Sequence, residues 1–259
     1  MTYNLSLETH PYLRDHSLAG RAFLPLAAGL DLFVGSLQVQ PPFTFLEVAV
    51  ERGLLVNRPA VVRVDRQDDL VRLLDVRPGG REVAVFRARL AGLGEGPADL
   101  PAGKAMEPRL TLEDFYRQHT FHGPLLQAIT SLPQLTSTSV AGTVAGCRPV
   151  DWIPGDPREA WDLDPKVIDG AFQLAIFWAQ CREGRGLLPR SVDEVTLLEP
   201  LPPAGPVDVR IDLNGVDEEG VTGTIHLFSQ GRRVGWLKAV RARWADPRTF
   251  RADKEVLAS

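Results

Sequence analysis

The feature that most restricts the fold of this chain is an order of elements that occurs twice, a long apolar helix followed by four strand-like runs. In the first copy, Leu26, Leu30, Phe33, Val34 and Leu37 keep helical spacing over 26–38, after Pro25 and before Pro41-Pro42. Runs at 46–56, 60–66, 70–77 and 82–90 follow, broken by Asn57-Arg58-Pro59, Gln67-Asp68-Asp69 and Pro78-Gly79-Gly80, and this spacing predicts an antiparallel meander. In the second copy, Val167, Ile168, Ala171, Phe172, Ala175, Ile176 and Ala179 mark a buried helix over 165–181, followed by strands at 192–198, 207–213, 221–229 and 233–244. A short helix over 111–118, capped by Thr111, and a strand over 139–147 precede it. The pattern predicts an α+β chain with an N-terminal lobe over 1–90, an inter-lobe linker rich in Gly, Pro and Ala over 91–108, a C-terminal lobe over 109–245 and a tail or linker over 246–259. No residue identity joins the copies, so two unrelated α+β domains remain the alternative from periodicity alone.

Charge and composition remove several classes of function. The 33 acidic against 29 basic residues give a net charge of -4, which provides no footprint for nucleic acid or an anionic membrane. The basic residues divide into 25 Arg and 4 Lys, a skew expected of a GC-rich, bacterial coding sequence. Cys147 and Cys181 lack CxxC spacing, so the expectation is reduced thiols in the cytoplasm, with neither a disulfide framework nor a zinc site. The first eight residues do not read as a signal peptide, and no run of about 18 apolar residues suggests a membrane span.

Of the five histidines, His226 alternates with Ile225 and Leu227 as a solvated or satisfied strand residue, His119 and His122 lack a third ligand at metal spacing, and His10 precedes Pro11 in a loop. His16 stands apart in His16-Ser17-Leu18-Ala19-Gly20-Arg21-Ala22-Phe23-Leu24-Pro25. This His-x-x-x-Gly-x-x-x-x-Pro run resembles the first active-site motif of the dehydratase domains of polyketide and polyunsaturated fatty acid synthases, a double hotdog family. Asp169-Gly170-Ala171-Phe172-Gln173 is similar to that family's Asp-x-x-x-Gln/His motif at the start of the second helix. Phe121-His122-Gly123-Pro124-Leu125-Leu126 is similar to its Tyr-Gly-Pro-x-Phe segment, and the run from Leu188-Pro189 to Val195 to its Leu-Pro-x-x-x-x-x-Val stretch. The resemblance covers 10–245. His122 replaces the Tyr of many polyketide dehydratases, a departure closer to polyunsaturated fatty acid and enediyne synthases that leaves the subfamily, and any role borrowed from that Tyr, open.

Eliminating water from a 3-hydroxyacyl thioester needs a base for the α-proton, an acid for the hydroxyl and donors for the thioester oxygen. His16 suits the base, its ordinary pKa being about 6.5. Asp169 suits the acid if Val167, Ile168, Ala171 and Phe172 raise its pKa, and Gln173, one turn on, can orient it. Gly20 and the helix start near Pro25 are the candidates for the oxyanion, and the resemblance adds His122, Gly123 and Pro124 as substrate-binding residues. No metal and no organic cofactor is expected, because the acyl chain would ride on the phosphopantetheine of an acyl carrier protein. The implied partners are that carrier and neighbouring synthase domains, docking on Arg14, Arg21, Arg182 or Arg185, and a homodimer is allowed. A product-template-like cyclase, a double-bond isomerase and a catalytically silent scaffold are the competing readings of the same fold.

Overall fold

The computed structural model describes residues 1–101 and 103–245; the expected tail over 246–259 lies outside the described residues. The N-terminal half runs β1 (Thr2–Leu5), a turn of 3-10 helix (Pro11–Asp15), the hairpin β2 (Ser17–Leu18) and β3 (Arg21–Ala22), α1 (Leu26–Leu37), β4 (Phe43–Val50), β5 (Ala60–Gln67), β6 (Leu70–Val76) and β7 (Glu82–Ala91). The C-terminal half runs β8 (Ala105–Met106), α2 (Leu112–Asp114) widening into a loose turn over Phe115–His119, β9 (Gln134–Thr136), β10 (Ser139–Ala145), α3 (Pro149–Trp152), α4 (Pro165–Glu183), β11 (Gly186–Leu197), β12 (Pro206–Val216), β13 (Gly220–Ser229) and β14 (Arg232–Ala245).

Twelve of the strands form one antiparallel sheet in the order β1-β5-β6-β7-β4-β11-β14-β13-β12-β10-β9-β8. The repeat is therefore strand, helix and four strands, with β1, α1, β4, β5, β6 and β7 matched by β10, α4, β11, β12, β13 and β14. The order β1-β5-β6-β7-β4 becomes the order β10-β12-β13-β14-β11, and the halves meet where β4 pairs β11 from Ser191↔Ala49 to Leu197↔Phe43. Helix α1 packs on β5 and β6, α4 on β10, β11 and β12, and the two helices on each other. This is the double hotdog arrangement, and it corrects the expected meander in one respect. β4 leaves the meander to pair β7 and β11, because the chain from Glu51 to Pro59 crosses over instead of turning tightly.

The expected strand over 46–56 ends at Val50 for the same reason. Residues 51–56 form a strap whose backbone binds the loop ahead of α1, with Leu24 N–H donating to the Leu54 carbonyl at 3.0 Å and Val56 N–H to that of Ala22 at 2.9 Å. β11 begins six residues before the expected strand, its pairing with β14 slipping at Pro189, which has no N–H to give a ladder. Residues 92–101 are irregular and largely exposed, but Ala105–Met106 within the expected linker pairs β9. Arg233 and Arg210 both grip Asp99 at 2.6 Å, holding this segment against β12 and β14.

Helix α4 follows its sequence signals. Asp164 caps it by accepting from Lys166 and Val167 N–H, Pro165 opens it, and Gly184, at φ 64°, ends it. Fifteen of its nineteen residues are buried, including Asp169 and Gln173. Among the described residues, no helix is long and apolar enough to cross a membrane.

Candidate active site

His16 closes the 3-10 turn Pro11–Asp15, and its position is fixed from both halves of the molecule. Its Nδ1 lies 2.9 Å from the carbonyl of Phe23, and Phe23 N–H returns a bond to the His16 carbonyl at 3.0 Å. A carbonyl only accepts, so Nδ1 carries the hydrogen and Nε2 keeps its lone pair. The strap over 51–56 holds Phe23 in place through an isolated bridge to Leu55. From the other half, His122 pairs its backbone with that of His16, Gly123 N–H donates to the Asp15 carbonyl at 2.8 Å, and Leu125 N–H donates to the Asp15 carboxylate at 2.6 Å. Tyr12 stacks on Trp152 with ring centroids 4.4 Å apart, and the Trp152 indole N–H donates to the Leu125 carbonyl.

Asp169 and Gln173 lie one turn apart on α4, facing the loop that carries His122. The Gln173 amide donates to Asp169 Oδ2 at 2.7 Å and to the Leu126 carbonyl at 2.8 Å. Its oxygen accepts from the Tyr116 hydroxyl at 2.8 Å and from Ala128 N–H. Tyr116 in turn accepts from Ala128 and Ile129 N–H, so every polar group of Gln173 is matched in a fully buried position. His122 Nε2 lies 3.2 Å from the same Asp169 Oδ2, and its Nδ1 lies 2.5 Å from Thr120 Oγ1.

His16, His122 and Asp169 each offer one atom to a cluster spanning no more than 4.8 Å, although His16 and Asp169 stand 153 positions apart in the chain. It is the one trio of such side chains among the described residues. Asp169 Oδ2 is engaged by both the Gln173 amide and the His122 ring. Burial draws the pKa of His16 down to about 4, against the opposing charge of Asp169, and keeps the imidazole neutral at pH 7. Burial alone would push the Asp169 carboxyl up, as expected from its apolar neighbours. The His122 ring beside it, His16 and the Gln173 amide outweigh burial and hold it below the ordinary carboxylate range. The expected rise in the Asp169 pKa is therefore reversed.

The remaining expected residues take mainly backbone positions. Gly20 is the exposed tip of the β2–β3 hairpin, in the left-handed region at φ 67°, and Pro25 precedes the first residue of α1. A Cβ on Gly123 would stand 2.5 Å from Asp15 Cγ, which is why the clasp between the halves needs glycine there. Pro124 is exposed beside Tyr116, Arg117 and Ile129 in a shallow hollow. His226 is buried, not solvated, with Nε2 3.0 Å from Asp212 Oδ2 and no part in the site. Sequence reasoning missed Thr120, Tyr116, the Phe23 carbonyl and Phe121, whose ring stacks on His122 at 4.2 Å and meets His16 edge-on at 5.0 Å. The HxxxG and DxxxQ spacings mark side chains within one short segment, whereas Tyr116, Thr120 and Phe121 come from another part of the chain and the Phe23 carbonyl is backbone, which no side-chain spacing marks.

Comparisons with known proteins agree with this arrangement. The family model described as the polyketide synthase dehydratase N-terminal domain matches residues 95–253. The chain is 28% identical over 235 residues, 81% of its length, to one of the polyunsaturated fatty acid synthase subunits of Thraustochytrium sp., and spans 8% of that relative. Among solved structures, GphF Dehydratase 1 is similar with a TM-score of 0.76 at 18% identity, over 95% of this chain and 93% of that one. The dehydratase domain from the CurJ module of curacin polyketide synthase gives 0.74 at 14% identity, over 96% and 92%.

Proposed function

Because this chain belongs to the polyketide synthase dehydratase family, whose members are hydro-lyases acting on 3-hydroxyacyl thioesters, we propose that it removes water from such a thioester to give the 2-enoyl product, with His16 as base and Asp169 as acid. The observation that carries this is the meeting of His16 and Asp169 within 4.8 Å from opposite halves of the chain, close enough for one substrate to touch both. His16 Nε2 takes the α-proton, the electron pair forms the double bond, and the hydroxyl leaves as water with a proton handed over at Asp169, whose carboxyl is held in its ionised form and so draws that proton from a neighbouring group. Gln173 fixes the carboxyl, and the closed hydrogen-bond set around Gln173 fixes its rotamer. Phe121, with Leu18 and Leu188 packed against it, offers an apolar wall for the acyl chain next to both histidines.

The substrate is carried on the phosphopantetheine of an acyl carrier protein within a synthase for polyketides or polyunsaturated fatty acids, and no organic cofactor takes part. Arg14, Arg21, Arg182 and Arg185 are all exposed, and the first two flank His16 in sequence, which supports docking of an acidic carrier on that side. Gly20, Pro25, Gly123 and Pro124 shape the loops that bear the catalytic residues.

Incubation with 3-hydroxyacyl and 2-enoyl pantetheine thioesters, followed by mass spectrometry in both directions, tests the reading. Loss and gain of one water mass is expected, and a folded His16→Ala protein that retains near-normal turnover overturns the acid–base assignment.

A further inference from the structure

Two members of the trio have been given work, and His122 has not. Its side chain is 2% exposed and that of Asp169 7%, with 3.2 Å between Nε2 and Oδ2. A carboxylate buried this deeply is unfavourable unless a proton or a positive charge lies against it. His16 is poorly placed to store that proton, because its Nδ1 hydrogen is committed to the Phe23 carbonyl and its Nε2 must be empty to accept from the substrate. His122 is free of both constraints. Thr120 Oγ1, at 2.5 Å from Nδ1, can donate to a ring lone pair or accept from a ring N–H, so His122 stays satisfied with or without the extra proton.

We propose that His122 and Asp169 hold one proton between them across the 3.2 Å contact, so that His122 supplies, through Asp169, the proton that leaves with the hydroxyl. This inference rests on the dehydratase reading for its kinetic consequence. In the forward step the α C–H bond breaks with its proton passing to His16 Nε2, the C=C bond forms, the C–O bond breaks, and the hydroxyl departs as water with the proton of the pair. The enzyme is left with a protonated His16 and a pair one proton short; the proton on His16 Nε2 then passes through water to the pair, which restores the neutral base and the charged pair, and hydration runs the same steps in reverse. His122 does not meet the reacting atoms in this scheme and is a positioning residue. The other groups that face the pair are His16 from the loop before α1, Tyr116 from the turn after α2, and Gln173 from α4 itself. Burial raises the Tyr116 phenol well above its ordinary range, so Tyr116 stays neutral and leaves His122 to set the charge next to Asp169.

The test is His122→Gln, which keeps a neutral N–H donor toward Asp169 but cannot hold the proton. Expected are a fall in kcat of at least about tenfold, KM within about twofold, and an alkaline limb of kcat/KM moved to lower pH by about one unit, since the carboxyl alone now retains the proton. A kcat within about twofold of the unsubstituted enzyme with an unmoved alkaline limb overturns the proposal. Should His122→Gln fail to fold, 15N spectra of histidine-labelled protein decide it without substrate. At neutral pH the His122 Nε2 resonance should lie between the positions of a protonated and an unprotonated ring nitrogen in the unsubstituted protein and move to one of them in Asp169→Asn, and a resonance already at either limit overturns the shared proton. Absence of any hydration or dehydration by the unsubstituted enzyme would instead count against the dehydratase reading, leaving the spectroscopic result to decide the shared proton.

Discussion

At the scale of single residues, the site separates two imidazoles by what each is bonded to. His16 is tied to a backbone carbonyl and kept neutral by burial, and its pKa of about 4 lies below the ordinary value near 6.5. The base form therefore persists as the pH falls, and the acid limb of kcat/KM should appear near pH 4 rather than between about 6 and 7, a displacement that a pH–rate profile measures directly. His16→Ala and Asp169→Asn should each lower turnover by at least about 10²-fold with the far-UV circular dichroism unchanged, since neither side chain can take the other's role. Gln173 behaves differently. Its amide is bonded on both ends, so Gln173→Ala leaves Tyr116 Oη–H and the Leu126 carbonyl without that partner in a buried position. The expected cost is about 2–4 kcal/mol of stability, or a fall of roughly 5–10 °C in Tm by calorimetry. A full Tm with only a slower rate would mean that its role is confined to Asp169.

At the scale of elements, the site depends on a clasp between two loops. The segment from Pro11 to Phe23 and the segment from Thr120 to Leu125 meet through Asp15, Gly123 and the paired backbones of His16 and His122. Gly123→Ala would drive a Cβ into the Asp15 carboxylate at 2.5 Å. It should cost about 1–3 kcal/mol and lower kcat more than about tenfold, because opening the clasp separates His16 from Asp169. Tm and kcat measured on the same preparation check both parts. The strap over 51–56 is the second support, and it exists only because β4 ends at Val50 and releases the chain toward Phe23.

At the scale of the whole molecule, one sheet and one site are shared by both halves. The β4–β11 seam carries a buried hydrogen bond between Thr44 Oγ1 and Thr196 Oγ1 at 2.9 Å, both residues being 1% exposed. Thr44→Val or Thr196→Val alone should cost about 1–2 kcal/mol by leaving one hydroxyl with fewer partners. The double substitution should cost less than the sum, and a double-mutant cycle from urea unfolding reads that coupling. The halves should also unfold in a single transition, with tryptophan fluorescence and circular dichroism giving the same midpoint.

The amino-acid sequence by itself determined the two helices, most of the strands and the step from Asp169 to Gln173 on one helix, whereas the pairing of His16 with them rested on motif resemblance and not on spacing. The helices and that step rest on spacing along one element: the apolar period of α1 and α4, the Pro165 start of α4, the four-residue step from Asp169 to Gln173. Only the tertiary structure decided which strand neighbours which, that β4 joins β11, and that 51–56 is a strap and not a strand end. It likewise decided the charge state favoured at Asp169. The apolar residues adjacent in sequence argue for a raised pKa, but the groups that settle it, His122 and His16, come from segments remote along the chain. Coulombic and hydrogen-bond energies depend on distance in space, and no periodicity along the chain reports that distance.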